Sequence, residues 1–193
     1  MRSILDKLIS WMGLALAIVL LVAGGLLTWA STFVADNVKE QLSMQNITMP
    51  AEAQLETQEQ KDALLQYAGQ PMETGDQAKA YADHYILVHM NAASGGKTYS
   101  QVSGEALAAA KAAPTDPKTK ELMDLRQTLF MGSTLRGLLL NAYAFGTIGK
   151  IAGIAAWAAY AGALVLLLLS LLGLRHAKQV STATVPQAKP AIA

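Results

Sequence analysis

Leu14-Ala15-Leu16-Ala17-Ile18-Val19-Leu20-Leu21-Val22-Ala23-Gly24-Gly25-Leu26-Leu27 is a run of fourteen residues without one charged or hydrogen-bonding side chain. It is the centre of a longer uncharged stretch, Leu8 to Ala35, and a second one runs from Ile151 to Leu174. An α-helix rises 1.5 Å per residue, so about 20 apolar residues cross a hydrocarbon core of about 30 Å. Both stretches exceed that length. The fold class they predict is all-α: an integral membrane helical hairpin, with a helical domain inserted between its two spans and displayed outside the cytoplasm.

Composition agrees with that reading. Of 193 residues, 52% are hydrophobic and only 15% charged, against about a quarter charged in soluble domains. The net charge of +1 lacks the basic excess of a nucleic-acid binder. Cysteine is absent, which removes disulfide frameworks, thiolate nucleophiles and cysteine-based metal sites. The rival reading of the first run is a cleaved secretory signal behind Arg2 and Lys7. Its apolar core is longer than the roughly 7 to 15 residues of a signal, which favours a retained anchor.

Basic residues close to the span ends set the orientation. Arg2 and Lys7 precede the first run, and Arg175, His176 and Lys178 follow the second. The segment from Asp36 to Lys150 holds ten basic and thirteen acidic residues. The expected layout is therefore a cytoplasmic tail over 1–7, a span over 8–35, an extracytoplasmic helical domain over 36–150, a span over 151–174 and a disordered cytoplasmic tail over 175–193. Trp11 and Trp29 fit interfacial anchors, and Trp157 is expected to lie deeper and to pack.

Between the spans, Gly and Pro punctuate a helical pattern with no alternating β-branched run. The first span should extend to Ser43 and break at Asn46-Ile47-Thr48-Met49-Pro50. Helices are expected over Leu55–Tyr67, from a Thr74 cap to about Asn91, over Ser100–Ala112, and from an Asp116 cap with Pro117 in the first turn. From Gly137 to Leu174 the only charge is Lys150, and 38 helical residues would measure about 57 Å. One span cannot use that length, so the stretch 137–149 must pack on the domain or lie on the membrane surface.

Tyr81, Tyr85 and His89 share a helical face, and with Phe130 and Tyr143 as walls they form the candidate ligand site for a small molecule or lipid. An aromatic packing stripe is the plainer reading of the same spacing. A metal would use His84, His89 and Asp83, but residues five apart on a helix point about 140° away from each other, so no metal, cofactor or catalytic residue is assigned. Arg136 is expected at the lipid headgroups, with a buried pair to Asp124 or Glu121 as the alternative. Gly13, Ala17, Gly24, Gly149 and Gly153 are small residues at spacings that let membrane helices pack closely. The middle of neither span holds an ionisable residue, which disfavours transport.

Three stretches carry a resemblance: Ala80-Tyr81-Ala82-Asp83-His84-Tyr85-Ile86 with Val88-His89, Tyr99-Ser100-Gln101-Val102-Ser103, and Thr134-Leu135-Arg136-Gly137-Leu138-Leu139-Leu140-Asn141-Ala142-Tyr143-Ala144-Phe145. In this order before a closing apolar span, over roughly residues 46 to 174, the chain resembles a group of two-span actinobacterial membrane proteins often labelled aromatic ring-opening dioxygenase. The resemblance implies a bacterial plasma membrane and a helical domain on its far side, and brings no catalytic residues. Together these readings lead to a non-enzymatic accessory or scaffold protein, whose partners are the lipid bilayer and another membrane protein or a second copy of itself.

Overall fold

The computed structural model describes residues 2–183, and every regular element among them is helical. Six α-helices follow one another: α1 (Arg2–Met44), α2 (Gln58–Leu64), α3 (Gly75–Tyr81), α4 (Leu87–Ser94), α5 (Tyr99–Ala112) and α6 (Pro117–Ala183). A π turn over Ala82–Ile86 joins α3 to α4 without a break. Two of these helices, α1 and α6, are long and apolar enough to cross a membrane. The described residues divide into two compact units, 2–32 with 150–183, and 33–149.

In the first unit, the α1 and α6 segments run antiparallel with a constant register. Gly13 faces Ser170, Gly162 faces Leu20, Gly24 faces Tyr160, and Gly153 faces Ser31. A β-carbon on Gly24 would stand 2.7 Å from the Tyr160 ring, and one on Gly13 would collide with Ser170 Oγ. Ala17 and Ala163 are fully buried in the same seam. Small side chains bring the backbones close enough for dispersion contacts along the whole pair, the usual driving force where no water is expelled. Thr28 Oγ1 donates to the Gly24 carbonyl at 2.9 Å, so the Tyr160 hydroxyl donates to Thr28 Oγ1 at 3.0 Å.

The same register corrects the expectation for Trp157. With Gly24 facing Tyr160 and Gly153 facing Ser31, Trp157 falls about level with Leu27, and its side chain is 78% exposed instead of packed. A second correction concerns the chain beyond Leu174. The sequence predicts loss of order from residue 175, yet α6 continues to Ala183. Adding a residue to an existing helix costs little, and no Gly or Pro interrupts the chain between Leu174 and Pro186. Residues 184–193 of that expected tail lie outside the described residues.

The second unit is built on the end of α1 and the first half of α6. Val38 and Leu42 of α1, Leu139 of α6, Leu64 of α2, and Ala78, Ala82 and Ile86 from α3 and the π turn form one core with Met49, Leu55 and Met72. Three of the helices, α2, α3 and α5, are started by the same device. Thr57 and Gln60, Thr74 and Gln77, and Thr98 and Gln101 form capping boxes, in which the threonine accepts from the glutamine N–H and the glutamine amide returns to the threonine N–H. The expected helix over Leu55–Tyr67 starts three residues later, at Gln58, because Thr57 is its cap. Segment Ile47–Met49 pairs with Gln70–Met72 through an isolated β-bridge, Met49 N–H to Gln70 O at 2.8 Å and Met72 N–H to Ile47 O at 2.9 Å. These bonds satisfy backbone that lies outside any helix.

Candidate functional site

Within the second unit α3, the π turn and α4 lie along α6 in antiparallel register. Gly75 touches α6 at Ala142 and Tyr143, Asp83 meets Arg136, and Met90 covers Gly132. The contact at Gly75 requires glycine: a β-carbon there would sit 2.9 Å from Tyr143 Cα and 3.0 Å from the Ala142 carbonyl oxygen, both backbone atoms.

The π turn carries the densest group of polar side chains. Leu87 N–H reaches five residues back to the Ala82 carbonyl, which widens the helix by one residue. Asp83, mostly buried, accepts from Arg136 Nη2 at 2.8 Å and pairs with Lys79 one turn earlier. Arg136 therefore pairs with Asp83 and not with Asp124 or Glu121, because the π turn brings a carboxylate to its face that sequence distance concealed. Burial pushes the Asp83 carboxyl upward, but the hydrogen bonds and charges of Lys79 and Arg136 outweigh it and hold the group below its usual range. Next to it, His84 Nδ1 lies 3.3 Å from Glu59 Oε1, and the His84 carbonyl accepts from buried Gln60 at 3.1 Å. His84 Nδ1 and Arg136 Nε are buried without a hydrogen-bond partner.

The five residues of the expected ligand site do not converge. Tyr81 and Tyr85 stack at 4.9 Å, the Tyr85 and His89 rings meet tilted at 4.4 Å, and His89 Nδ1 is 2.7 Å from the Tyr85 carbonyl. With Thr128 and Gly132 these rings border a depression of about 220 Å³. Phe130 instead packs on Tyr99 of α5 at 5.7 Å, and Tyr143 lies under Lys79, 5.4 Å from its ammonium. The helical period had set Phe130 and Tyr143 only on α6, and α6 turns them to other neighbours. Burial, and then the neighbouring Tyr85, raise the Tyr81 hydroxyl above its usual value, so it stays protonated. A carboxylate held by two cations is a poor proton acceptor, and the cluster acts as a clamp between α3 and α6. His84 and His89 turn to different partners, and among the described residues no three His, Asp or Glu side chains gather as a metal site would need.

A more apolar concavity than this depression lies between the end of α1 and the middle of α6. Phe33, Val34, Asn37, Val38 and Gln41 form one wall, and Leu138, Ala142 and Phe145 the other, around about 390 Å³. Apart from the two amides the lining is apolar, and Phe33, Leu138 and Phe145 are each more than half exposed. The sequence signal for it is the uncharged stretch 137–149, the part of the apolar run to Leu174 that one span cannot use: Leu139 is buried in the core, whereas Leu138 and Phe145 are not. Of the small residues expected to pack helices, Gly13, Ala17, Gly24 and Gly153 lie in the seam of the first unit, and Gly149 is buried at the end of the second.

Comparison with protein-family models, with curated proteins and with solved structures gives no match for this chain.

Proposed function

We propose that the protein is a two-span membrane protein of a bacterial plasma membrane, with both termini cytoplasmic. It carries its helical unit on the far side as a non-enzymatic accessory or scaffold module. The basic flanks at Lys7 and at Arg175 and Lys178 support the orientation. The apolar outward faces of α1 and α6 support insertion, since Trp11, Leu16, Val19, Leu26, Trp157, Leu164 and Leu168 are all exposed.

The observation that carries the docking role is the Phe33–Phe145 groove. The small-residue seam is consumed by the pairing of α1 with α6, so it is not the surface left for a partner. The groove is an apolar concavity with two exposed aromatic rings, the kind of surface into which an amphipathic or transmembrane helix lays its side chains. The partner is another membrane protein or a second copy. A photoreactive residue in place of Phe145, activated in intact membranes, is expected to form a protein adduct that co-migrates after mild solubilisation. A chain that runs as a monomer in several mild detergents and yields no protein adduct would overturn this reading.

A second reading has its own support. The groove volume and its two amides also suit a small apolar molecule or lipid, though not at the Tyr81 to His89 depression expected from the sequence. The mass of the adduct distinguishes the two: a gain of a few hundred daltons is a small ligand, a gain of a whole chain is a partner.

A further inference from the structure

We propose that the first unit holds an anionic phospholipid at its basic end, in the cleft lined by Lys7, Trp11, Leu171, Leu174, Arg175 and Lys178. The inference rests on the two-span reading. Lys7 and Trp11 are one turn apart on α1, and Leu171, Leu174, Arg175 and Lys178 follow each other on one face of α6. Both walls therefore change in the same direction: apolar Leu171 and Leu174 on α6 and the indole on α1, then three cations toward the helix ends. That order matches a lipid, with acyl chains beside leucine, the glycerol region at the indole and the phosphate among the cations.

Charge is also partitioned between the two sides of the helix pair. The acidic residue nearest to this end, Asp6, lines a different cleft together with His176, Ser10 and Ser170, whereas the lining of the Lys7 cleft holds no acidic side chain. A cleft of about 560 Å³ has room for a headgroup and the upper part of its chains. A free phosphate ion would use the cations and leave the leucine wall without a role.

The test uses the full chain with Trp29→Phe and Trp157→Phe, so that Trp11 is the only tryptophan and is excited where tyrosine does not absorb. It is reconstituted in phosphatidylcholine vesicles containing a small, equal fraction of brominated phosphatidylglycerol or brominated phosphatidylcholine. Preferential quenching by the anionic lipid is expected. Lys178→Gln, which leaves Lys7 and Arg175 to hold the orientation, should lower the preference about fivefold, and Lys7→Gln with Lys178→Gln about fivefold more. Equal quenching by the two brominated lipids, or an undiminished preference in both variants, overturns the site. Loss of the preference in millimolar inorganic phosphate at constant ionic strength would show a free-anion site instead and overturns it as well. Alkaline carbonate extraction separates the two levels: release of the chain from the vesicles refutes the two-span reading and this inference with it, whereas a resistant chain without lipid preference refutes the inference alone.

Discussion

Arg136 Nη2 lies 2.8 Å from Asp83 Oδ1 across fifty-three residues of sequence, and Lys79 closes the same carboxylate from the other side. This pair ties the π turn to α6, and removing its acid leaves Arg136, whose Nε already lacks a partner, without its counterion. Asp83→Asn should destabilise the helical unit by about 1–3 kcal/mol, less than a fully buried pair because the arginine keeps some access to water. Lys79→Ala should cost only about 0.5 kcal/mol, since that lysine is the more exposed cation. Thermal unfolding of both variants in one detergent checks the order.

The pH dependence of that pair has a definite sign. Asp83 is held below its ordinary value of 3.8 in the folded chain, so its contribution is present above that value and is lost as the pH falls through the lowered folded value. Wild type should therefore lose more stability than Asp83→Asn on acidification below about pH 4. Parallel melting-temperature profiles that keep the same separation down to pH 2 would refute the assignment.

Three glycines should respond differently to one added methyl group. Gly75→Ala drives its β-carbon against Tyr143 Cα and the Ala142 carbonyl, which cannot yield without moving α6, and should cost about 1–3 kcal/mol. Gly132→Ala meets only the Met90 thioether, a flexible group that can turn aside, and should be nearly neutral. Gly104→Ala, in α5 with open space around it, should stabilise by about 0.5–1 kcal/mol. Circular dichroism melts of the three variants would rank them.

Local chemistry made much of this legible from the sequence. Asp116 before Pro117, Thr74 before Gly75, and Ser94-Gly95-Gly96 at a helix end mark boundaries through backbone hydrogen bonds made within a few residues, which sequence spacing records. The thrice-repeated Thr-x-x-Gln pattern held the same information and would have placed the start of α2. What stayed hidden depends on register between distant elements. Arg136 finds Asp83, Tyr143 turns under Lys79 and Phe130 packs on Tyr99 because the π turn and Gly75 set how α3 and α4 lie along α6, and no local pattern encodes that phase.

Groove variants should separate docking from folding. Phe145→Asn replaces a ring that is 57% exposed, so its effect on stability should stay within about 0.5 kcal/mol. If the groove seats a membrane partner, the same change should abolish most of the cross-linking and the co-migration. Leu139→Ala, by contrast, empties the core beside the groove and should cost about 2–5 kcal/mol. A Phe145→Asn protein that keeps its partners at wild-type levels would exclude this face.

The helix pair of the first unit can be tested without a spectroscopic probe, because the chain has no cysteine of its own. An ideal β-carbon on Gly173 lies 3.6 Å from Ser10 Cβ, one on Gly13 lies 3.7 Å from Ser170 Cβ, and one on Gly153 lies 3.8 Å from Ser31 Cβ. These separations fall in the range of about 3.5–4.5 Å that a disulfide spans. The double variants Ser10→Cys/Gly173→Cys, Gly13→Cys/Ser170→Cys and Ser31→Cys/Gly153→Cys should therefore each oxidise within one chain, and protease cleavage in the loop before Pro117 should leave the two halves joined until reductant is added. Ser10→Cys combined with Gly153→Cys joins opposite ends of the register and should form no intramolecular bond. A helix pair that slid by one turn, about 5.4 Å, would break all three matched pairs together, so failure of all three would reject the register itself.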